Sequence, residues 1–93
     1  MASEKINLKV YTPAGLVLEA GAASVTLQSS EGEIGILPHH TRYVGLLGVG
    51  TLEYIDPASS ARHRLTVSKG FCNFVNENLV VLADSVEMTA VQT

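Results

Sequence analysis

Apolar and polar residues alternate along most of this chain, and that period of two limits the possible folds more than any other feature. Near the start, Ile6, Leu8 and Val10 alternate with Asn7 and Lys9, so one side of this segment is apolar. Successive side chains of a β-strand point to opposite faces of a sheet, which makes the pattern typical of a strand with one buried face. The pattern therefore predicts a protein built from β-strands.

Turn-forming residues interrupt the alternation at intervals of about eight to twelve residues, the spacing typical of antiparallel sheets. Residues 12–15, 56–60 and 76–78 are rich in Pro, Gly, Asp, Ser and Asn. The one helix-prone stretch, residues 20–23, is short and contains glycine, so it is interpreted as a loop. We therefore predict an all-β chain in which residues 1–93 form a single domain, a flattened β-sandwich or barrel of about ten short strands.

Three further details of the second half of the chain are predicted. Residues 69–70 are expected to break the strand that begins near residue 62, and a new strand is expected to resume at Phe71. Residues 79–83 are nearly all apolar, which predicts a strand buried on both faces. Residues 86–91 are expected to form one last edge strand.

The composition favours a folded globule with an aliphatic core and surplus apolar surface. Apolar residues make up 46% of the 93 residues and charged residues only 16%, which argues against an intrinsically disordered chain. A domain of this size cannot bury all of that apolar surface, and such a surplus is typical of a protein that binds a partner protein. The net charge of −3 argues against nucleic acid and anionic membrane surfaces as partners, because both attract basic proteins.

The single cysteine and the N-terminal residues bear on the compartment of the protein. Cys72 cannot form an internal disulfide and is expected to be a small buried hydrophobe, which favours a reducing compartment. No apolar run reaches the length of a signal peptide core or a transmembrane helix. We therefore expect a protein that is soluble by itself and contacts a membrane only through another protein.

A loop with two glycines and two glutamates, residues 29–40, is the segment most indicative of function. It reads Ser-Ser-Glu-Gly-Glu-Ile-Gly-Ile-Leu-Pro-His-His and lies between segments predicted to be strands. Glycine allows backbone angles that other residues avoid, and Pro38 ends any strand ladder that it enters. The segment is therefore expected to be a shaped connection that presents Glu31, Glu33 and His40.

No combination of residues in the chain predicts an active site. His39 and His40 are adjacent, so in extended backbone they point to opposite faces and are badly placed to bind one metal ion. Glu31 and Glu33 have the spacing of an acid–base pair, but a solvated, glycine-rich loop favours contact with a partner. The chain lacks the Gly-x-Ser-x-Gly motif of a nucleophilic serine and, at residues 45–51, the lysine of a phosphate-binding loop. These patterns predict no metal, no cofactor and no catalysis.

Four stretches in the correct order carry a resemblance to a known family, and together they span almost the whole chain. The acidic loop, residues 30–40, follows the family pattern Glu-Gly-Glu-(Ile/Leu)-Gly-(Ile/Val)-x-Pro-x-His. The others are Leu-Lys-Val-Tyr-Thr-Pro at residues 8–13, Val-Ser-Lys-Gly-Phe at residues 67–71 and Asn-Leu-Val-Val-Leu-Ala-Asp at residues 78–84. The chain therefore resembles the N-terminal β-sandwich domain of the epsilon subunit of F-type ATP synthases.

The resemblance implies a rotor component that itself makes and breaks no bond and holds no cofactor. In this family the domain joins the gamma subunit to the ring of c subunits, so that proton or sodium flow is coupled to ATP synthesis. The resemblance also implies a peripheral position at the cytoplasmic face of the inner (plasma) membrane of a bacterium. The implied c-ring contacts are Glu31, Gly32 and Glu33, and the implied gamma contacts are His40, Thr41 and Arg42.

The chain departs from the family pattern in two places. Where the family often has Ala-Pro-Leu, this chain has Thr41, Arg42 and Tyr43, so different side chains are expected at the gamma contact. The sequence also stops at Thr93, before the pair of C-terminal helices of most epsilon subunits, so neither helix-based inhibition nor ATP sensing is expected. Two alternatives stay open: a free-standing β-sandwich adaptor, which would share the fold without binding gamma, and a small cupin-like metalloenzyme.

Overall fold

The computed structural model describes residues 5–29 and 32–88, and this part of the chain is built from strands. Within it, no helix is long and apolar enough to cross a membrane. Pro13, Gly48, Pro57 and Asn76 lie in the turns after the first, fifth, sixth and seventh strands, so turn chemistry sets these strand ends. The strands are β1 (Ile6–Thr12), β2 (Gly15–Ala22), β3 (Ser24–Ser29), β4 (Gly32–Ile36), β5 (Tyr43–Leu47), β6 (Gly50–Ile55), β7 (Arg62–Val75) and β8 (Asn78–Met88).

The eight strands form one continuous sheet that curls into a flattened sandwich. Their order is β2-β1-β8-β7-β5-β3-β4, and β6 pairs with both β3 and β7. Neighbouring strands are antiparallel except for β1 and β8, which run parallel from the Asn7–Asn78 pair to the Tyr11–Leu82 pair. Because β3, β6, β7 and β5 form a closed circuit, β2 and β4 are the open edges. The predicted all-β sandwich or barrel is confirmed, with eight strands in place of about ten.

The core is aliphatic, as the composition predicts, and every strand contributes to it. In the described part of the chain, no polar or charged residue is buried in this core. The prediction for Cys72 is confirmed, since its side chain is fully buried and burial raises the pKa of its thiol. The buried apolar residues are Ile6, Leu8, Val10, Ala22, Val25, Leu27, Ile36, Leu47, Leu52, Tyr54, Leu65, Val67, Cys72, Phe74, Leu79, Val81 and Ala83.

Strand β7 is the longest strand, and it passes from one layer of the sandwich to the other. Its first half, residues 62–67, pairs with β6, and its second half, residues 70–75, pairs with β5. Strand β8 pairs with both halves on the opposite side, in a single register. The predicted break at Lys69 and Gly70 is therefore wrong, because β7 runs through both residues and pairs with β8 before and after Lys69, although φ at Lys69 is 42°.

The prediction that residues 79–83 are buried on both faces is also wrong. Leu79 and Val81 are fully buried, whereas Leu82 is 39% exposed. The cause is that β8 lies between β1 and β7, and the residues that alternate with Leu79 and Val81 face away from the core, on the outer face of the sheet. An apolar residue on that outer face is therefore exposed in the isolated chain.

Two predicted boundaries also change. Residues 20–23, predicted to be a loop, include the end of β2, where pairing with β1 places Ala22 in the core. The predicted last edge strand is a continuation of β8, which runs without interruption to Met88 beside β7. The rest of that prediction, up to Val91, lies outside the described residues.

Candidate partner interface

In the described part of the acidic loop, Gly32 and Glu33 are the first residues of β4. Gly32 has a φ of 123°, a backbone conformation that favours glycine, and its carbonyl oxygen accepts a 2.8 Å hydrogen bond from the Ser29 hydroxyl. Glu33 is exposed and lies opposite Gln28 in the strand ladder. Gly32 and Glu33 therefore lie exposed at the start of β4, on an open edge of the sheet, and this strand start is called the acidic turn below; Glu31 lies outside the described residues.

The turn between β5 and β6 lies beside this acidic turn and adds an apolar side chain that the sequence analysis missed. Ser29 pairs with Leu47, and the Gln28 side chain covers Gly50, where an added Cβ would lie 2.7 Å from Gln28 Cβ. Val49, between the two strands, is 69% exposed. Gly48 and Gly50 flank Val49 and are typical turn residues, but no local signal indicated that this turn adjoins the acidic one.

The predicted gamma contact is the connection between β4 and β5, and one of its residues anchors it to the core. The His40 backbone N–H donates to the Leu37 carbonyl oxygen at 3.0 Å. The half-buried His40 ring stands edge-on to Phe74, with 6.1 Å between ring centroids. His40 Nδ1 lies 2.7 Å from the Thr41 carbonyl oxygen, and because a carbonyl only accepts, Nδ1 is the donor. Thr41 and Arg42 are exposed and are available for contact.

A carboxylate from the β7–β8 turn holds the residue before His40. Glu77 accepts the His39 backbone N–H at 2.8 Å to Oε1 and 3.0 Å to Oε2, and its Oε2 lies 2.8 Å from His39 Nδ1. Both residues have positive φ, 69° at His39 and 65° at Glu77. The sequence analysis treated Glu77 only as a turn residue, since no local signal links it to a residue 38 positions earlier.

Strand β4 separates the two sets of predicted contact residues. Gly32 begins this strand, and Leu37 follows its last residue. At roughly 3.4 Å per residue, the acidic turn and the His40 turn lie about 15 Å apart along the strand. The structure therefore places Gly32 and Glu33 at the start of β4 and His40, Thr41 and Arg42 after its end.

A row of apolar side chains, four of them exposed and the fifth, Tyr11, half-buried, crosses the outer face of five strands. Leu46 pairs with Phe71, Phe71 with Leu82, Leu82 with Tyr11 and Tyr11 with Leu16, which connects β5, β7, β8, β1 and β2 in turn. Leu46 is 67% exposed, Leu16 48% and Phe71 40%. These five residues are called the apolar row below.

The direction of the apolar row follows from the residues next to it in sequence. Val10 precedes Tyr11, Val81 precedes Leu82 and Cys72 follows Phe71, and all three of these neighbours are fully buried. Tyr11, Leu82 and Phe71 therefore point away from the core. Tyr11, Phe71 and Leu82 line a groove of about 350 Å³ on this outer face. The sequence analysis expected surplus apolar surface but could not locate it, because the row depends on strand register.

The groups with shifted pKa values belong neither to the two turns nor to the apolar row. Burial raises the pKa of Tyr54, and the nearby Asp56 carboxylate raises it further. Backbone N–H groups of Ala58 and Ser59 lower the pKa of Asp56. In the described ranges, no group of three or more His, Cys, Asp or Glu side chains could hold a metal ion. The exposed turns and the apolar row have the chemistry of a protein-binding surface.

Sequence comparisons connect this domain to known proteins. Residues 5–89 match the family described as the β-sandwich domain of the ATP synthase Delta/Epsilon chain. The ATP synthase epsilon chain of Desulforapulum autotrophicum is 39% identical over 85 residues, which are 91% of this chain and 62% of the relative. The epsilon chain of Campylobacter curvus is 32% identical over 81 residues, which are 87% of this chain and 62% of the relative. The chain thus spans less than two thirds of the length of these relatives.

Two solved structures share the fold. A chain in the cryo-EM structure of the Euglena gracilis mitochondrial ATP synthase (OSCP/F1/c-ring) superposes with a TM-score of 0.84 at 21% identity, over 95% of this chain and 56% of that one. A chain in the central stalk/c-ring structure of the Tetrahymena thermophila mitochondrial ATP synthase gives 0.69 at 13% identity, over 92% of this chain and 68% of that one. The family match, which runs from residue 5 to residue 89, shows that the chain belongs to the ATP synthase delta/epsilon family and contains its β-sandwich domain.

Proposed function

We propose that this chain is a non-catalytic central-stalk (rotor) subunit of an F-type ATP synthase. It joins the gamma subunit to the c ring and supports the coupling of proton or sodium flow to ATP synthesis. The observation that carries this proposal is the apolar row, which crosses the outer face of five strands. A subunit that transmits force needs two firm contacts and no active site, and this arrangement of surfaces supports that role.

Gamma covers the apolar row together with the His40 turn in this proposal. Val44 and Leu46 follow Arg42 closely along β5, so the turn and the row form one continuous surface. Full burial of a Leu or Phe side chain stabilises an interface by about 1.5–3 kcal/mol, and partly buried side chains gain proportionally less. The apolar side chains would supply most of the affinity, and the Arg42 charge would mainly set the orientation.

The c ring contacts Glu31, Gly32 and Glu33 in this proposal, with Val49 beside them. Carboxylates on an exposed turn set the register against polar loops of a partner more than they add affinity. Val49 adds apolar area next to these charges. The separation of this turn from the His40 turn supports a subunit that holds two partners at once.

The proposed role includes a position in the cell. A rotor subunit of this kind belongs to a membrane-associated complex, here at the cytoplasmic face of the inner (plasma) membrane of a bacterium. The net charge of −3 gives the chain little attraction for anionic lipid headgroups. Its contact with the membrane is therefore expected to pass through the c ring.

Size-exclusion chromatography of the chain mixed with its cognate gamma subunit tests this proposal. The wild-type chain is expected to co-elute with gamma as a one-to-one complex. Phe71→Lys is expected to weaken the affinity at least about 30-fold, because it places an unpaired charge in an apolar contact. Thr66→Lys is the matched control, since Thr66 is also an outward residue of β7 but lies in the half that pairs with β6.

Separate elution of folded wild-type chain and folded gamma would contradict the proposal. The free-standing adaptor would then explain the apolar row better, because it shares the fold without binding gamma. Equal losses of binding in Phe71→Lys and Thr66→Lys would contradict the placement of gamma on the apolar row.

A further inference from the structure

A clamp between Glu77 and His39 joins the β7–β8 turn to the turn that carries His40. Both Glu77 carboxylate oxygens accept the His39 backbone N–H, and one of them also lies beside the His39 ring. We propose that this clamp positions His40, Thr41 and Arg42 for gamma, so that Glu77 is a positioning residue for that contact. The proposal rests on the proposed function, because gamma is the partner that it names.

The backbone on both sides of the clamp needs support from its surroundings. The φ angle is 69° at His39, 52° at Asn76 and 65° at Glu77. Residues with a Cβ rarely adopt this conformation, which persists where neighbouring contacts hold it in place. A carboxylate bonded to a backbone N–H is such a contact, since hydrogen bonds to an ionised group are stronger than those between neutral groups. Loss of the carboxylate would therefore release the His40 turn into other backbone conformations.

Glu77, the residue of the clamp that belongs to the β7–β8 turn, is held in place by the sheet. The Glu77 carbonyl oxygen accepts a 2.8 Å hydrogen bond from the backbone N–H of Asn7 in β1. Asn78 Nδ2 donates to the Asn76 carbonyl oxygen at 2.9 Å, which closes the turn from the other side. The Glu77 side chain is only 29% exposed. The sheet therefore offers a fixed point to which the His40 turn is attached.

The clamp forms one wall of a groove between the His40 turn and the β7–β8 turn. A partner segment in this groove would meet side chains from both turns, so the distance between the turns decides how well the segment fits. Fixing that distance before binding lowers the conformational entropy that association must overcome. The groove has a volume of about 480 Å³ and is lined by His39, His40, Arg42, Val75, Asn76 and Glu77.

Three variants test the clamp by gamma affinity, measured by titration calorimetry, and by exchange of the His39 amide, measured by NMR. Glu77→Ala is expected to speed this exchange and to weaken gamma binding about tenfold, the value of one hydrogen bond to a charged group. Glu77→Gln keeps an oxygen acceptor, so its affinity is expected to fall about threefold or less. Glu53→Gln is the matched control, because the Glu53 side chain is similarly exposed (25%) and pairs with Arg64 on the other outer face. The gamma affinity of Glu53→Gln should equal that of the wild type.

Each contrary outcome overturns the proposal in a different way. Faster His39 exchange in Glu77→Ala at unchanged gamma affinity would show a clamp that positions nothing for gamma. Unchanged His39 exchange in Glu77→Ala would show that there is no clamp. An equal loss of affinity in Glu53→Gln would trace the effect to general stability. A wild-type chain that fails to bind gamma would refute the proposed function itself, which is distinct from a selective failure of the Glu77 variants.

Discussion

The two halves of strand β7 share one inner face and differ in their outer faces. On the inner face, Leu65 and Val67 in the first half and Cys72 and Phe74 in the second are all at most 2% exposed. The outward residues of the first half are Arg62, Arg64 and Thr66, whereas those of the second half are Phe71, Asn73 and Val75, with Phe71 between Leu46 and Leu82. One strand thus has a polar outer half and a mainly apolar outer half over the same core.

The polar half is suited to contact with water. Glu53 Oε2 lies 3.4 Å from Arg64 Nε and 3.8 Å from Arg62 Nε. Ion pairs near the surface contribute at most about 1 kcal/mol each to the free energy of unfolding. The charged groups of these pairs therefore mainly keep this face hydrated. Next to them, the Ser68 and Ser85 hydroxyl oxygens lie 3.1 Å apart. Nothing in this half requires a partner protein.

The apolar outward residues of the second half of β7 are not required for folding. The core needs only the inward residue at every second position, and the polar half of β7 meets that need with polar outward residues. A single exposed apolar residue is ordinary, but a row across five strands is typical of a protein-binding surface. The contrast within β7 is therefore the main structural support for gamma on the apolar row.

The largest expected effect is at Gly70, where the two halves of β7 meet. An added Cβ would lie 1.8 Å from the Leu82 carbonyl oxygen and 2.8 Å from Ala83 Cα, both in the backbone of β8. Gly70→Ala is expected to lower the free energy of unfolding by about 3 kcal/mol, because β8 must move away from β7. Urea denaturation followed by circular dichroism measures this loss.

Gly35→Ala is the control for that experiment. Gly35 also lies in a strand, but an added Cβ would meet nothing within 4 Å. The free energy of unfolding of Gly35→Ala should stay within about 0.5 kcal/mol of the wild-type value. Equal stability of Gly70→Ala and Gly35→Ala would mean that β7 and β8 are not closely packed at the junction, and the division of β7 at this point would be wrong.

A smaller effect, limited to acid pH, is expected at the turn that leads into the polar half. Hydrogen bonds from the backbone N–H groups of Ala58 and Ser59 hold the pKa of Asp56 below its usual value. A lowered folded-state pKa stabilises the fold above the unfolded value of about 4, and this contribution is lost as the pH falls through the folded value. Asp56→Asn should therefore lose less thermal stability than the wild type between about pH 5 and pH 2.

Thermal melts across that pH range measure the difference between Asp56→Asn and the wild type. Asn can accept the same two backbone hydrogen bonds, so the variant is expected to keep the turn at neutral pH. Melting temperatures of the two proteins that fall in parallel on acidification would show that the Asp56 carboxylate does not contribute in this way. The electrostatic difference between the two halves of β7 would then have no support.

Local patterns predicted most of the fold because the inner alternation and the turns are local signals. The alternation at Ile6, Leu8 and Val10 matches their burial in β1, and Pro13 and Pro57 lie in turns as expected. The errors arose where tertiary pairing outweighs local preference. Lys69 and Gly70 were expected to break a strand that runs through both residues and pairs with β8 before and after Lys69.

The candidate site was harder to predict because its parts are distant in sequence. The acidic loop was recognised from a continuous motif, and Gly32 and Glu33 of this motif lie exposed at the start of β4. The pairing of Tyr11 with Leu82, and of His39 with Glu77, depends on the register of the whole sheet. No window along the chain contains that information. The rotor role likewise came from resemblance to a family and not from the chemistry of any residue.

Thiol labelling tests the central claim that gamma covers the apolar half and leaves the polar half in water. The native Cys72 is suited to such an experiment, because it is fully buried and its thiol has a raised pKa. Leu46→Cys places a probe in the apolar row, and Thr51→Cys places one on the exposed face of β6 beside the polar half.

Both variants should react rapidly with a thiol reagent in the isolated chain. Saturating gamma is expected to slow labelling of Leu46→Cys at least about tenfold and to change that of Thr51→Cys less than about twofold, because only the first thiol would be buried. Equal protection of both positions, or rapid labelling of Leu46→Cys in a complex that demonstrably contains gamma, would contradict the account.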